Sequence, residues 1–158
     1  MMNNNHINRS NIFKISSCIV ITDQLLKHII YSFLGEEKVI NLIPNLIRLN
    51  IVKNTGAAFS LFSNSVYFLG FMSLIISIIL IFWVIKKSPI YFANGIAIAF
   101  ILGGSIGNGI DRWFMGYVID FIELIPINFP IFNIADIAIN IACIILIIDN
   151  LKQFNYKN

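Results

Sequence analysis

The chain has 158 residues, of which 58% are hydrophobic and only 12% charged, with a mean hydropathy of +0.82. Soluble domains average about 25% charged residues, and a soluble fold of this size has too little interior to hide so much apolar surface. Disorder is excluded because disordered chains are polar and charged, and a net charge of +3 is too small to indicate nucleic acid as a partner.

What remains is an integral membrane protein, read as a single domain over 1–158, in which the few charges are the informative residues. Ile is abundant and Asn frequent, as an AT-rich genome would produce, so Ile is not taken as a strand signal. After an Asn-rich start, Arg9 and Lys14 precede an apolar run over 15–22 that ends at Asp23. The run is short for the core of a cleaved signal, and no small-x-small site follows, so the first helix is expected to be retained. Ile15-Ser16-Ser17-Cys18 lacks the apolar core that should precede a lipidation box.

At about 20 apolar residues per crossing, four spans are predicted: 13–33, 66–85, 90–106 and 131–148. The first contains Asp23, Lys27 and His28, and the last contains Asp136. The second is uncharged until Lys86-Lys87. Between the spans lie two segments on the opposite side from the termini, 34–65 and 107–130. Residues 39–52 are rich in Ile, Leu and Val, and Asn54-Thr55-Gly56 is a turn signal, so one or two short strands at the membrane surface are expected. Residues 117–130 are also β-prone, and the two segments are expected to pair. Basic residues set the orientation. Arg9, Lys14, Lys86, Lys87, Lys152 and Lys157 cluster at the termini and the 86–89 turn. The longer opposite segments carry only Lys38, Arg48, Lys53 and Arg112. The positive-inside rule puts both termini in the cytoplasm.

Polar groups inside apolar spans are costly and usually functional. Asn133, Asp136 and Asn140 share one helical face, which should point into the bundle. Asp23 and Lys27 stand at i, i+4, as do Gln24 and His28; the first pair reads as a structural ion pair, and His28 as a surface or packing residue. In Gly103-Gly104-Ser105-Ile106-Gly107-Asn108-Gly109-Ile110-Asp111-Arg112, four glycines within seven residues allow close helix approach or a loosened helix end. Asp111 beside Arg112 suggests a pair. Asp120, flanked by apolar residues with no adjacent base, is expected to have a raised pKa. Cys18 and Cys143 lie in apolar runs and read as small buried hydrophobes.

With the assigned orientation, Asn54, Asn108, Asp111, Asp120, Asn133 and Asp136 gather near the outer surface. Asp120 and Asp136 can then meet there, and two carboxylates sharing a proton can activate water without a metal. No His-Glu-x-x-His, phosphate loop or Gly-x-Ser-x-Gly occurs, and Ser60 near Lys53 is weak support for a Ser–Lys pair. On the residues alone, an intramembrane aspartyl hydrolase stands beside a proton-coupled transporter subunit, in which Asp23, Asp111 and Asp136 form a relay, and beside a non-catalytic scaffold.

Five blocks resolve the choice by resemblance. They are Asp23-Gln24-Leu25-Leu26-Lys27, Asn54-Thr55-Gly56-Ala57-Ala58-Phe59-Ser60, the Gly103 to Arg112 run, Val118-Ile119-Asp120-Phe121, and Phe129-Pro130-Ile131-Phe132-Asn133-Ile134-Ala135-Asp136. In this order they resemble the lipoprotein signal peptidase (signal peptidase II) family; Ser105 departs from it, standing where Ala is common. The resemblance implies a membrane all-α bundle of four transmembrane helices, with a small extracytoplasmic β-cradle and an adjacent short helix. It implies Asp120 and Asp136 as the catalytic dyad, supported by Asn54, Asn108, Asp111, Arg112, Asn133, Asp23 and Lys27, with no metal or other cofactor. The implied substrate is a prolipoprotein bearing a diacylglyceryl cysteine, cut just before that cysteine, in the bacterial inner membrane. Asn54 and Asn133 are expected to donate to the substrate or to a developing oxyanion.

Overall fold

The computed structural model describes residues 6–35, 38–57, 61–87 and 89–157, and the side chains of these through 154. Ser60, Glu36 and Glu37 lie outside the described residues. The elements in chain order are β1 (His6–Ile7), α1 (Arg9–Leu34), β2 (Ile40–Ile43), β3 (Ile47–Asn54), α2 (Val66–Lys86), β4 (Ile90–Tyr91), α3 (Phe92–Phe114), β5 (Val118–Leu124) and α4 (Ile134–Lys157).

Four long helices thus appear among the described residues. Three, α2, α3 and α4, are long and apolar enough to cross a membrane, with mean hydropathies of 2.8, 1.4 and 2.1. Helix α1 is 26 residues long and spans about 39 Å at 1.5 Å per residue. Its charges Arg9, Lys14, Asp23 and Lys27 set it apart from the other three. Its first turn is capped by Asn8, whose side chain accepts from the Asn11 amide at 2.9 Å. Helix α2 ends on Lys86, where a cation suits the exposed carbonyls of a helix C-terminus.

Helix α3 is the centre of the bundle, touching α1, α2 and α4. It does not end at the glycines: it runs through them and through Asp111-Arg112 to Phe114, eight residues past the predicted boundary. The glycines serve close approach. A Cβ at Gly104 would stand 2.6 Å from the Ala135 carbonyl, and one at Gly107 would stand 2.8 Å from Asp23 Oδ2. Helix α4 starts three residues later than predicted and continues to Lys157.

The predicted strands form. Strands β2, β3 and β5 make a three-stranded antiparallel sheet in the order β2-β3-β5. The β2–β3 turn is set by Pro44 and by Asn45, which takes φ 58°. Leu34, Ile51, Ile119 and Phe121 fasten this sheet to the end of α1. At the opposite end of the bundle, β1 pairs with β4, and Ile7, Ile12, Val84, Ile90 and Ala99 form a small apolar core. Residues 61–64 form turns, and among the described residues no short helix stands beside the sheet.

Apolar surface is otherwise turned outward. Tyr67 and Phe82 on α2 are 69% and 60% exposed. This corrects the expectation for the cysteines. Both Cys18 and Cys143 are exposed, because in these helices the small and polar residues face inward and the apolar runs face out. His28 is exposed on α1, as a surface role requires.

Candidate active site

Asp120 and Asp136 line one cavity of about 210 Å³, together with Asn54, Asn108, Arg112 and apolar walls from Val118, the 129–132 segment and Ile139. Their positions follow from local structure. Along β5, alternate side chains face opposite ways: Ile119 and Phe121 enter the core against α1, which turns Val118 and Asp120 toward the cavity. The β3–β5 register pairs Val52 with Asp120 and Asn54 with Val118. Asn54 is therefore a diagonal neighbour of Asp120 on the same face, and its Nδ2 donates to Asp120 Oδ2 at 2.9 Å.

Asp136 is placed by a helix cap. Asn133 immediately precedes α4, and its Oδ1 accepts from the Asp136 amide at 3.0 Å. Asp136 Oδ2 in return accepts from the Asn133 amide at 3.1 Å. This is a capping box, with an acid three residues after the cap. Phe132 pairs with Ile122, which draws the start of α4 against β5. Asn133 Nδ2 can then donate to Asp120 Oδ1 at 2.7 Å. One fully buried asparagine thus holds both aspartates. Asn108 Nδ2 donates to Asp136 Oδ1 at 2.8 Å.

Asp120 lies in the sheet segment and is almost completely buried. Its pKa is pushed up to about 7, first by loss of water and then by the nearby charge of Asp136; hydrogen bonds from Asn54 and Asn133 and the charge of Lys27 oppose the shift. The raised value expected from its apolar flanks is found, and the strongest cause is the expected one.

Behind the cavity lies a buried ionic cluster. Lys27, 2% exposed, contacts Asp23 Oδ2 at 2.7 Å and Asp111 Oδ2 at 2.8 Å, and donates to Asn108 Oδ1 at 3.0 Å. The Asp23–Lys27 pair expected from spacing is present. Asp111, however, pairs with Lys27 rather than with Arg112. Adjacent helical residues point about 100° apart, so Asp111 faces α1 while Arg112 faces the cavity. Arg112 instead donates to the Gly56 carbonyl at 3.2 Å and the Asn108 carbonyl at 3.5 Å. Gln24 was not among the expected site residues, yet it donates to Asp111 Oδ1 at 2.9 Å and to the Gly107 carbonyl at 3.1 Å. Its signal was its place beside Asp23 and one helix turn before His28, within the first of the five blocks.

Two other expectations change. Asn140 is exposed at the cavity's rim and donates to the Asp136 carbonyl, so the face shared by Asn133 and Asp136 is not buried along its whole length. The amide of Asn133 is directed at Asp120, Asn108 and the Ile119 carbonyl. It secures an acid instead of standing free for substrate.

A helical bundle of membrane-spanning composition, with two acids in a cavity at one end, defines a membrane enzyme. Solved structures agree: this chain superposes on a bacterial membrane enzyme determined by the in meso method at 2.3 Å, with a TM-score of 0.86, 34% identity and 94% and 92% of the two chains covered. The family model for signal peptidase (SPase) II matches residues 15–152. A lipoprotein signal peptidase of Parasynechococcus marenigrum is 47% identical over 143 residues, 90% of each chain. One from a Synechococcus is 47% identical over 112 residues, 70% of this chain and 74% of the relative. The chain belongs to the signal peptidase II family, and it is a multi-pass bacterial membrane peptidase.

Proposed function

We propose that Asp120 and Asp136 are the catalytic dyad with which this peptidase removes signal peptides from prolipoproteins, cutting just before a cysteine that carries diacylglycerol. The observation that carries the assignment is their shared cavity, where Asn133 hydrogen-bonds both acids. Water between the carboxylates gives a proton to the ionised member as its oxygen attacks the scissile carbonyl. The protonated member hydrogen-bonds the carbonyl oxygen and later protonates the leaving amine. A member with a pKa of about 7 suits this exchange near neutrality. The amide of Asn54 has a second hydrogen beyond the one given to Asp120, available to a substrate carbonyl. The chemistry uses no metal and no cofactor.

In this reading α1 crosses the bilayer with the other three helices, its inner charges neutralised by pairing. Both termini lie in the cytoplasm, and the three-stranded sheet forms an extracytoplasmic cradle over the signal peptide. The membrane supplies both the solvent and the substrate. Family membership favours the peptidase over the transporter reading.

The test is cleavage of a diacylglyceryl-modified precursor by purified protein in liposomes. Asp120→Asn and Asp136→Asn are each expected to lower turnover by about 10³-fold or more while the protein stays folded. Near-normal turnover by either variant removes the dyad assignment. Excess chelator is expected to leave the wild-type rate unchanged, and loss of activity on chelation overturns the metal-free reading.

A further inference from the structure

Two buried acids outside the cavity make matching contacts. Asp23 Oδ1 accepts the backbone amide of Ala135, the residue before Asp136, at 3.0 Å. Asp111 Oδ2 accepts the backbone amide of Ile119, the residue before Asp120, at 3.3 Å. Lys27 bridges these two acids. Each catalytic segment is therefore tied, one residue upstream of its aspartate, to the same ammonium group.

From this we infer that Asp23, Lys27 and Asp111 act as a yoke that sets the separation of the two aspartates, and that Gln24 is the positioning residue that fixes its Asp111 arm. The inference rests on the dyad assignment. Asp111 has one oxygen on Lys27 and Ile119 and the other on Gln24. Gln24 also donates to the Gly107 carbonyl at 3.1 Å, one turn earlier on α3, so it braces the carboxylate against its own helix; its contact with Asp23 Oδ2 is longer, at 3.4 Å, and that acid keeps Lys27 and the Ala135 amide. Without Gln24 the carboxylate can rotate about its Cβ–Cγ bond, and the Ile119 amide moves with it. Strand β5 then shifts relative to α4, whose Ala135 remains held by Asp23. Charged groups around the dyad include Lys27, Arg112, Asp23, Asp111 and Lys53, and replacing Gln24 by a neutral residue removes hydrogen bonds to two of them but changes no charge.

The decisive variant is Gln24→Leu, assayed on the full chain in liposomes across pH. A small displacement of reacting groups is costly, so kcat is expected to fall about tenfold, with KM changed by less than about twofold. The two limbs of the kcat profile report the coupled titration of the dyad. A looser pair is coupled more weakly, so the limbs are expected to move toward one another. Loss of folded enzyme lowers the amplitude and leaves both limbs in place.

A second readout follows geometry directly. Spin labels at Ile125→Cys and Ile141→Cys, in a background where the exposed Cys18 and Cys143 are replaced by Ala, report the distance between the end of β5 and α4. The distribution is expected to broaden in Gln24→Leu. Where Leu prevents folding, the shorter Gln24→Asn, whose amide falls short of Asp111, takes its place. Unmoved limbs overturn the proposal whether or not kcat falls, and so does an unchanged distance distribution. If Asp120→Asn retains turnover while the distance still broadens, the dyad assignment has failed and the yoke has not.

Discussion

The two ends of the bundle are closed by opposite chemistries. At one end β1 and β4 pair, and Ile7, Ile12, Val84, Ile90 and Ala99 seal the helices with an apolar core that carries no buried charge, Ser16 adding a hydrogen bond to the Ala99 carbonyl at 3.0 Å. At the other, α1, α3 and the start of α4 converge on Asp23, Lys27, Asn108, Asp111 and Asn133, all buried. Apolar contacts are individually weak and tolerant of rearrangement. The buried ion cluster is not, because each charge depends on its partners for the stabilisation that water would supply. The proposed dyad, whose chemistry needs fixed distances, sits at the end where distance is enforced by charge.

Paired substitutions separate the two ends. Lys27→Met leaves Asp23 and Asp111 buried together without a cation, which is expected to destabilise the protein by about 3–5 kcal/mol and abolish cleavage by any protein that still folds. Ile12→Ala, at the apolar end, removes a fully buried side chain and is expected to cost about 2–4 kcal/mol, with kcat per folded molecule unchanged. Thermal unfolding in detergent and single-turnover cleavage measure both quantities. A fall in kcat in Ile12→Ala matching that in Lys27→Met would erase the distinction between the ends.

This asymmetry was only partly legible in the sequence. Spans were readable because lipid enforces long apolar runs, and α2 matches its predicted start and end within a residue. The strands were readable from β-prone segments with turn residues between them. The Asp23–Lys27 pair was readable because it lies within one helix turn. Lys27–Asp111 was not, because it depends on how α1 lies against α3, which no spacing encodes. The same blindness produced the expected Asp111–Arg112 pair, in which nearness in sequence replaced direction. Cys18 and Cys143 were misread because an apolar run in a membrane helix points outward as often as in.

A smaller effect tests the electrostatics of the cavity. With the pKa of Asp120 at about 7, the proposed dyad loses its shared proton as pH rises through that value, and the alkaline limb of kcat is expected there. The sign for stability is the same. Burial favours protonated Asp120, so its contribution is complete below the ordinary aspartate value and is lost as pH rises through about 7. Asn54 donates to the carboxylate and lowers its pKa, so Asn54→Leu is expected to move the alkaline limb to higher pH. A limb that stays in place, or moves down, places its origin in another group.

The smallest effect comes from a pair that looks much like the Lys27–Asp111 pair on paper. Arg48 bonds Glu123 across β3 and β5, with Nε to Oε2 at 2.7 Å and a second contact through Nη2. Asn50 adds a donor to the same carboxylate at 2.8 Å. Glu123 has its pKa lowered, chiefly by the Arg48 hydrogen bond. Distance and chemistry match those of the buried cluster, but Arg48 is 39% exposed where Lys27 is 2% exposed. Water solvates either charge when its partner is removed, so little is lost with the bond. Arg48→Met and Glu123→Gln are therefore expected to leave cleavage within about twofold of wild type, and their joint effect on the unfolding midpoint should be barely resolved. Their register is held independently by the β3–β5 backbone ladder. A large loss of turnover in Arg48→Met would mean that exposure does not separate the two ion pairs, and that the three-stranded sheet needs a charged contact to hold Asp120 in place.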